Sequence, residues 1–457
     1  MRLLAIFALE VLMSATLDAA TTLDQRIDDA AKKVESKVIA CRRDIHEHPE
    51  LGNRETRTSK IVADRLRELG IEVKTPVAHT GVIGILKGGK PGRVVALRAD
   101  MDALPVVEQV DLPFKSTVRT TFNGHEVGVM HACGHDAHVA ILLGVAEVLA
   151  GIRDEIPGTV KFLFQPAEEG APEGEEGGAM LMVKEGALDN PKVDAVFGLH
   201  VTSRYPVGEI AWRPGSMMAA VDSFKIVVHG KQTHGAYPWL GVDPIVVASQ
   251  IVLGLQTIPS RQVDSSLAPS IVTVGAIHGG VRNNIIPDEV EMIGTIRSLD
   301  SKMRDEIHAR IKRTAEDIAR SGGATATVTI TAGYPITYND PAITERMAPT
   351  LRRIAGPANV EVVNPTLGAE DFSFFQQKVP GLSSGSARGR RTRLPSKPRP
   401  ITLRCSMSMK ADWSSASARW RTWPWTTCRS SAAKREVLPA PLRRRTACGE
   451  LPQHRLL

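Results

Sequence analysis

The sequence predicts an α/β protein: a mixed, mainly parallel sheet with flanking helices, interrupted by an inserted α+β unit. Three observations predict it. Short apolar runs at residues 94–97, 160–164 and 195–199 alternate with helical patterns, the rhythm that builds a parallel sheet. Each run hands polar residues to its carboxyl end, where such sheets form their sites. Near Trp212 the rhythm changes, and after Tyr334 the chain rejoins the first domain.

The elements follow in order. Residues 23–48 read as a helix, with Ile27, Ala30, Ala31, Val34, Val38 and Ile39 at helical spacing. Residues 56–70 give a second helix, ended by Gly70. The run at 94–97 is a buried strand that delivers Arg98-Ala99-Asp100-Met101-Asp102. Residues 139–150 form an apolar helix. The run at 160–164 delivers Gln165-Pro166-Ala167-Glu168-Glu169, and the run at 195–199 ends on His200. The inserted unit, 213–330, holds strands at 224–228 and 271–274 and helices at 244–255 and 303–318. The first domain is therefore discontinuous, 21–212 and 331–382.

Charge is unevenly placed. Residues 1–382 carry 40 Lys/Arg against 47 Asp/Glu, and residues 383–457 carry 17 against 3. The formal +7 of the whole chain thus belongs to its last segment, and the body is mildly acidic. The N-terminus has a basic start, a short apolar stretch containing Glu10, and a small-residue exit near Asp18-Ala19-Ala20. Residues 1–20 are read as an export signal, which implies a periplasmic or secreted protein, with an N-terminal helix packed on a cytoplasmic protein as the alternative. No later run is long enough to span a bilayer. Of five cysteines, only Cys41 and Cys133 lie in the body, too few for a disulfide framework. Cys41 reads as a packing residue in a helix.

Residues 131–138, His-Ala-Cys-Gly-His-Asp-Ala-His, put one thiol and three imidazoles within eight residues. Soft sulfur, imidazole and nearby carboxylates suit a zinc-like or manganese-like cation. Strand ends and this loop together offer Asp102, Cys133, His135, Glu168, Glu169 and His200. Singly, each has an ordinary structural reading: a cap, a solvated pair, a hydrogen-bonded core imidazole. Jointly they fit one site at the carboxyl edge of one sheet. Two divalent cations a few ångströms apart can clamp a water and a carbonyl oxygen. Cys133 thiolate and a glutamate would offset their charge, and one further carboxylate must stay free to move a proton. Adjacent Glu168 and Glu169 can divide those jobs, and Asp102 can orient a ligand imidazole.

Five motifs then stand in order: Arg42-Arg43-Asp44-Ile45-His46-Glu47-His48-Pro49-Glu50-Leu51, Ala96-Leu97-Arg98-Ala99-Asp100-Met101-Asp102-Ala103-Leu104-Pro105, the stretch 131–138, Phe164-Gln165-Pro166-Ala167-Glu168-Glu169-Gly170, and Gly198-Leu199-His200. By their content and spacing, residues of about 36–382 resemble the metal-dependent aminoacylase/carboxypeptidase amidohydrolase family, in the branch of hippurate hydrolases and auxin-conjugate hydrolases. The resemblance implies two divalent metal ions per subunit, with zinc, manganese, cobalt and nickel all suited. It implies Cys133 as a bridging ligand, His135, Glu169 and His200 as further ligands, Glu168 as general base and acid, and Asp102 behind a ligand. It makes residues 213–330 a lid that also forms a homodimer. The segment Gly230-Lys231-Gln232-Thr233-His234-Gly235-Ala236-Tyr237-Pro238 then nominates His234 for the substrate carbonyl, often across the dimer. Asn284 matches a substrate-binding position, Arg297 is a candidate for a substrate carboxylate, and Glu370 supports the site. The implied reaction is hydrolysis of N-acyl or N-aroyl amino acids or small peptides by metal-activated water. No nucleic acid or membrane partner is expected.

After Pro380-Gly381-Leu382 the pattern stops. The family continues with an apolar strand and an Asn-His-Ser-Pro segment whose His is the last metal ligand. Residues 383–457 are instead rich in Arg, Ser and Pro and hold four of the six tryptophans. A basic, disordered arm binding nucleic acid is one reading. A shifted reading frame explains more: with permitted codons, residues 382–389 re-read as FIWLGAR and residues 400–428 as NHSPLFYVDEGGLELGVRAMANLALDYL. The missing His would straddle the codons of Ile401 and Thr402, and His454, the only histidine of the tail, lacks the motif. The chain as written is therefore expected to be impaired. A non-catalytic relative that binds amino-acid conjugates or peptides is the rival reading, and intact Glu168 argues against it.

Overall fold

The structure is a computed structural model that describes residues 22–389. The expected export signal and the basic segment beyond Gly389 lie outside the described residues. In chain order the strands of the first domain are β1 (Glu72–Val77), β2 (Gly81–Lys87), β3 (Lys90–Asp100), the hairpin β4 (Arg119–Phe122) and β5 (His125–Gly128), β6 (Pro157–Gln165), β7 (Ala195–Pro206) and β8 (Ile210–Trp212). Strand β9 (Gly215–Met218) leads into β10 (Ala220–His229), β11 (Thr233–His234), β12 (Ser270–Gly279), β13 (Ile285–Ile286), β14 (Glu289–Ser298) and β15 (Thr325–Ala332). The chain returns through β16 (Thr337–Asn339), β17 (Val360–Val362) and β18 (Gly381–Gly389).

The larger sheet has eight strands in the order β1-β2-β6-β3-β7-β18-β8-β17. Strands β6, β3, β7 and β18 run parallel, while β1 and β2 form an antiparallel margin. A parallel centre needs both faces covered, which explains its continuous apolar runs. Helices α1 (Leu23–Glu47), α2 (Thr56–Glu68) and α3 (His135–Gly151) contribute Ile27, Val34, Leu66, Val139 and Leu142 to the core that holds Phe162, Phe164 and Phe197. A second core joins α4 (Gly178–Lys184) to the return segment through Ala179, Met182, Phe372 and Phe375. Helix α1 starts where the sequence says it should: Thr22 and Gln25 form a reciprocal capping box.

The smaller sheet, β12-β14-β10-β15, is antiparallel. Alternate residues of β10 point inward, and α5 (Pro244–Thr257) and α6 (Ser301–Ser321) cover that face with Val247, Ile251, Leu255, Ile307 and Ile311. This core shares no residue with the first two. The mixed α/β sheet with an inserted α+β unit is therefore the architecture found. Among the described residues, no helix is long and apolar enough to cross a membrane.

Two expectations are corrected. The run at 195–199 does not end at His200: β7 continues to Pro206, so His200 lies inside a strand. Nor does ordered structure stop at Leu382. Strand β18 continues to Gly389, with Leu382 opposite Phe197 and Gly385 opposite His200. Main-chain pairing to β7 and β8 carries this strand. Asn339 brackets it, accepting the Ser383 N–H at 2.7 Å and donating to the Ser383 carbonyl at 2.9 Å.

Candidate metal centre

The carboxyl ends of β3 and β6 lie side by side, with Asp100 opposite Gln165. The loop before α3 meets them there. Gly134 makes the turn: its φ of +104° is left-handed, which glycine adopts freely, and it separates Cys133 in the loop from His135 at the first helical position.

His135 is fully buried, and its Nδ1 lies 3.2 Å from Asp102 Oδ1. That pairing places a proton on Nδ1 and turns Nε2 toward the other donors. Nε2 is buried without a hydrogen-bond partner, 3.7 Å from Glu168, 3.8 Å from Asp100 and 3.9 Å from Glu169. His200 repeats the device. Its Nδ1–H donates to the Val201 carbonyl at 2.7 Å, and its Nε2 faces Cys133 Sγ at 3.3 Å. Donor atoms of Cys133, His135 and His200 lie within 4.8 Å of one another, as do those of His135, Glu168 and Glu169. An orphaned imidazole nitrogen, a thiol and two carboxyls on one point fit a divalent cation.

The electrostatics agree. Burial raises the Glu168 carboxyl well above its usual range, and the charges of Glu370 and Asp371 add to this. Burial also raises Glu169 and the Cys133 thiol. His200 is pushed down to about 4, by burial and then by His138. Burial opposes charge on His135, but Asp100 and Asp102 outweigh it and hold the imidazole well above its ordinary value. Glu168 and Glu169 resist ionisation, so positive charge is lacking beside them, and a divalent cation there would supply it.

Supporting residues surround the donors. Arg98, buried in β3, donates to Gln165 at 2.7 Å, to Glu370 and Asp371 at 2.8 Å, and to Asp100. Asp102 Oδ2 accepts the Glu169 N–H at 2.8 Å, and the Tyr334 hydroxyl donates to the Glu168 carbonyl at 2.7 Å. His138 is a strut: Nδ1 sits 2.5 Å from Asp100 and Nε2 accepts the Val201 N–H at 2.8 Å. His131 is buried with neither ring nitrogen bonded, and burial pushes it down to about 4. Sequence reasoning assigned no role to Arg98, Asp100, Gln165 or Asp371. An Arg and an Asp two residues apart on an apolar strand were the available signal.

A cavity of about 350 Å³ opens beside the donors, lined by Cys133, Glu168, Glu169, His200, Tyr334 and Glu370 among others. The structure thus brings together Asp102, Cys133, His135, Glu168, Glu169, His200 and Glu370. His234, Asn284 and Arg297 stay on the inserted unit, and none lines that cavity. His234 and Asn284 do meet, because β11 pairs with β13 and the Gly235 N–H donates to the Asn284 carbonyl at 2.8 Å. His234 is exposed, with Nδ1 accepting the Ala236 N–H at 3.0 Å and Nε2 left free for an outside partner. Arg297 is half-buried on β14, opposite Val221 and Ile271.

Fold and donor set together define a metal-dependent hydrolase. Residues 96–392 match Peptidase family M20/M25/M40, and the chain belongs to that family. It is 46% identical over 362 residues to thermostable carboxypeptidase 2 of Saccharolobus solfataricus, covering 79% of this chain and 88% of that one. It is 40% identical over 348 residues to IAA-amino acid hydrolase ILR1-like 2 of Arabidopsis thaliana, covering 75% of each. Among solved structures, a Bacillus subtilis protein described as a dinuclear metal binding peptidase from M20 family superposes with a TM-score of 0.68 at 35% identity, over 84% of this chain and 98% of the other. The family resemblance carried by the motifs is confirmed.

Proposed function

We propose that this protein is an amidohydrolase of N-acyl or N-aroyl amino acids or small peptides, impaired in the chain as written. The observation that carries the reading is the pairing of buried Glu168 with the His135–Glu169 donors at the wall of an open cavity. Cys133, His135, Glu169 and His200 would hold two divalent cations. When bound, such cations lower the pKa of a water and polarise the substrate carbonyl. Glu168 takes the proton of that water and returns it to the leaving nitrogen, a task suited by a carboxyl already raised by burial. Asp102 fixes the His135 tautomer, and Arg98 holds Glu370 and Asp371 behind Glu168.

The lid residues complete the site from a second copy. His234 and Asn284 face outward in one chain, and the lid exposes Val246, Leu253 and Ile277, apolar area that a homodimer covers. His234 would then donate to the developing oxyanion, and Arg297 would hold a substrate carboxylate. Residues 1–20 direct export, which N-terminal sequencing of the mature protein checks.

The shifted frame supplies the impairment, because the donor groups found among the described residues include no histidine from the return segment that would serve as the expected fifth ligand. Resequencing through the codons for residues 382–428, and restoring the frame, tests both claims. The restored protein, loaded with manganese or zinc, is expected to hydrolyse N-benzoyl-glycine or another N-acyl amino acid, and the chain as written only weakly. A restored protein inactive on the whole panel sinks the amidohydrolase reading. Strong turnover by the 457-residue chain sinks the impairment.

A further inference from the structure

Glu55 is a buried carboxyl that the proposed chemistry does not use. Its side chain is fully buried, and it stands at the N-cap of α2 without capping it. Its Oε2 accepts the Thr80 hydroxyl at 2.5 Å, and its Oε1 accepts the backbone N–H of Ala167 at 2.8 Å. Ala167 has a φ of +49°, a left-handed conformation that a residue with a Cβ keeps only when its surroundings hold it there. The next two residues are Glu168 and Glu169.

The same turn is held at other points. Asp102 accepts the Glu169 N–H, and the Tyr334 hydroxyl donates to the Glu168 carbonyl. Gly52 lets the chain leading to Glu55 lie directly on it: a Cβ at Gly52 would come within 2.7 Å of the Gly170 carbonyl and 3.1 Å of the Ala167 Cβ. Burial, with the Asp102 charge adding, pushes Glu55 up to about 8. A side chain that only filled this space would do better as a hydrocarbon. What the carboxyl adds is an acceptor for the one backbone donor that the left-handed turn aims at it.

We propose that Glu55 is a positioning residue that holds the Ala167 turn and so aims Glu168 and Glu169 at His135. The inference rests on the metal-centre reading. Its effect runs through Glu169, so metal affinity reports it without any need for turnover.

The test is cobalt(II) titration of the full chain against a chromophoric chelator, with the visible spectrum of bound cobalt recorded beside it. Glu55→Ala is expected to weaken cobalt binding by about tenfold or more, as removal of groups behind a ligand does. Glu55→Gln keeps an oxygen for the Ala167 N–H and is expected to recover most of that loss. Asp222→Asn, on the lid, destabilises the fold far from the site and is expected to leave cobalt affinity unchanged. Wild-type affinity in Glu55→Ala overturns the proposal, as does an equal loss in Glu55→Gln or in Asp222→Asn. Should Glu55→Ala fail to fold, Thr80→Ala frees the same carboxyl and is expected to weaken binding severalfold; unchanged affinity there overturns the proposal. A wild-type chain that takes up no cobalt overturns the metal reading itself, and this inference with it.

Discussion

Asp102 Oδ1 lies 3.2 Å from His135 Nδ1, while the other oxygen of the same carboxylate accepts the Glu169 N–H at 2.8 Å. One side chain therefore sets the tautomer of one ligand and the backbone of another. Asp102→Asn keeps the shape but can turn an amide N–H toward the imidazole, placing the His135 proton on the metal-facing nitrogen. Metal affinity is expected to fall about 10–100-fold. Chelator competition on wild type and variant measures it, and equal affinities would show that Asp102 does not orient the ligand.

Glu168→Gln separates proton transfer from metal binding. The side chain sits beside the donors, but Glu169 is the assigned ligand, so metal content is expected to stay near wild type. Hydrolysis by the frame-restored protein is expected to fall by about 10²–10⁴-fold, the usual worth of a general acid or base. Metal analysis and turnover on the same sample decide the point. A variant that loses metal and activity together would make Glu168 a ligand.

Much of this centre was legible because its chemistry clusters locally. Cys133 and His135 share a loop, Glu168 and Glu169 share a strand end, and an apolar run leads to His200. The Arg98 network was not legible, since Arg98 and Glu370 lie 272 residues apart and only the folded sheet joins them. Glu55 carried no pattern at all, as its partner is a backbone N–H. The position of His200 within β7 was missed because main-chain pairing to β18 extends the strand beyond its apolar residues. Where His234 and Asn284 act is not legible in one sequence if their target lies in a second copy.

The lid has its own electrostatic anchor. Asp222 accepts from Arg304 and His308 of α6 and from the Gly333 N–H. Burial raises its carboxyl, but these bonds outweigh burial and hold it well below the usual range. A depressed carboxylate stabilises the fold above its unfolded value of about 3.9 and loses that contribution as the pH falls through the folded value. Asp222→Asn is expected to lower stability by about 2 kcal/mol or more at neutral pH. This is less than for a fully buried pair, because the Arg304 and His308 side chains are 17% and 24% exposed. Thermal midpoints should differ throughout pH 5–8 and converge as the pH falls below about 4. A gap that widens below about pH 4 would contradict the assignment.

Helix α5 is apolar on both faces, yet only one is covered. Val247, Ala248, Ile251 and Leu255 pack on the lid sheet, while Ile245, Val246 and Leu253 face outward, Leu253 with 72% of its surface exposed. A helix that is apolar all round is ordinarily buried. Strand β12, at an edge of the same sheet, adds exposed Ile271 and Ile277. A second copy of the lid is the occupant expected here, and it would bring the exposed His234 toward a partner's cavity. Leu253→Asp is expected to convert a dimer into a monomer with little loss of thermal stability, since the side chain contributes nothing to the core of its own chain. Light scattering on the eluting protein reads the mass directly. In the frame-restored enzyme the same variant is expected to lose turnover together with the dimer, because His234 would no longer reach a carbonyl in the neighbouring subunit. A monomeric variant with full activity would place His234 in the cavity of its own chain.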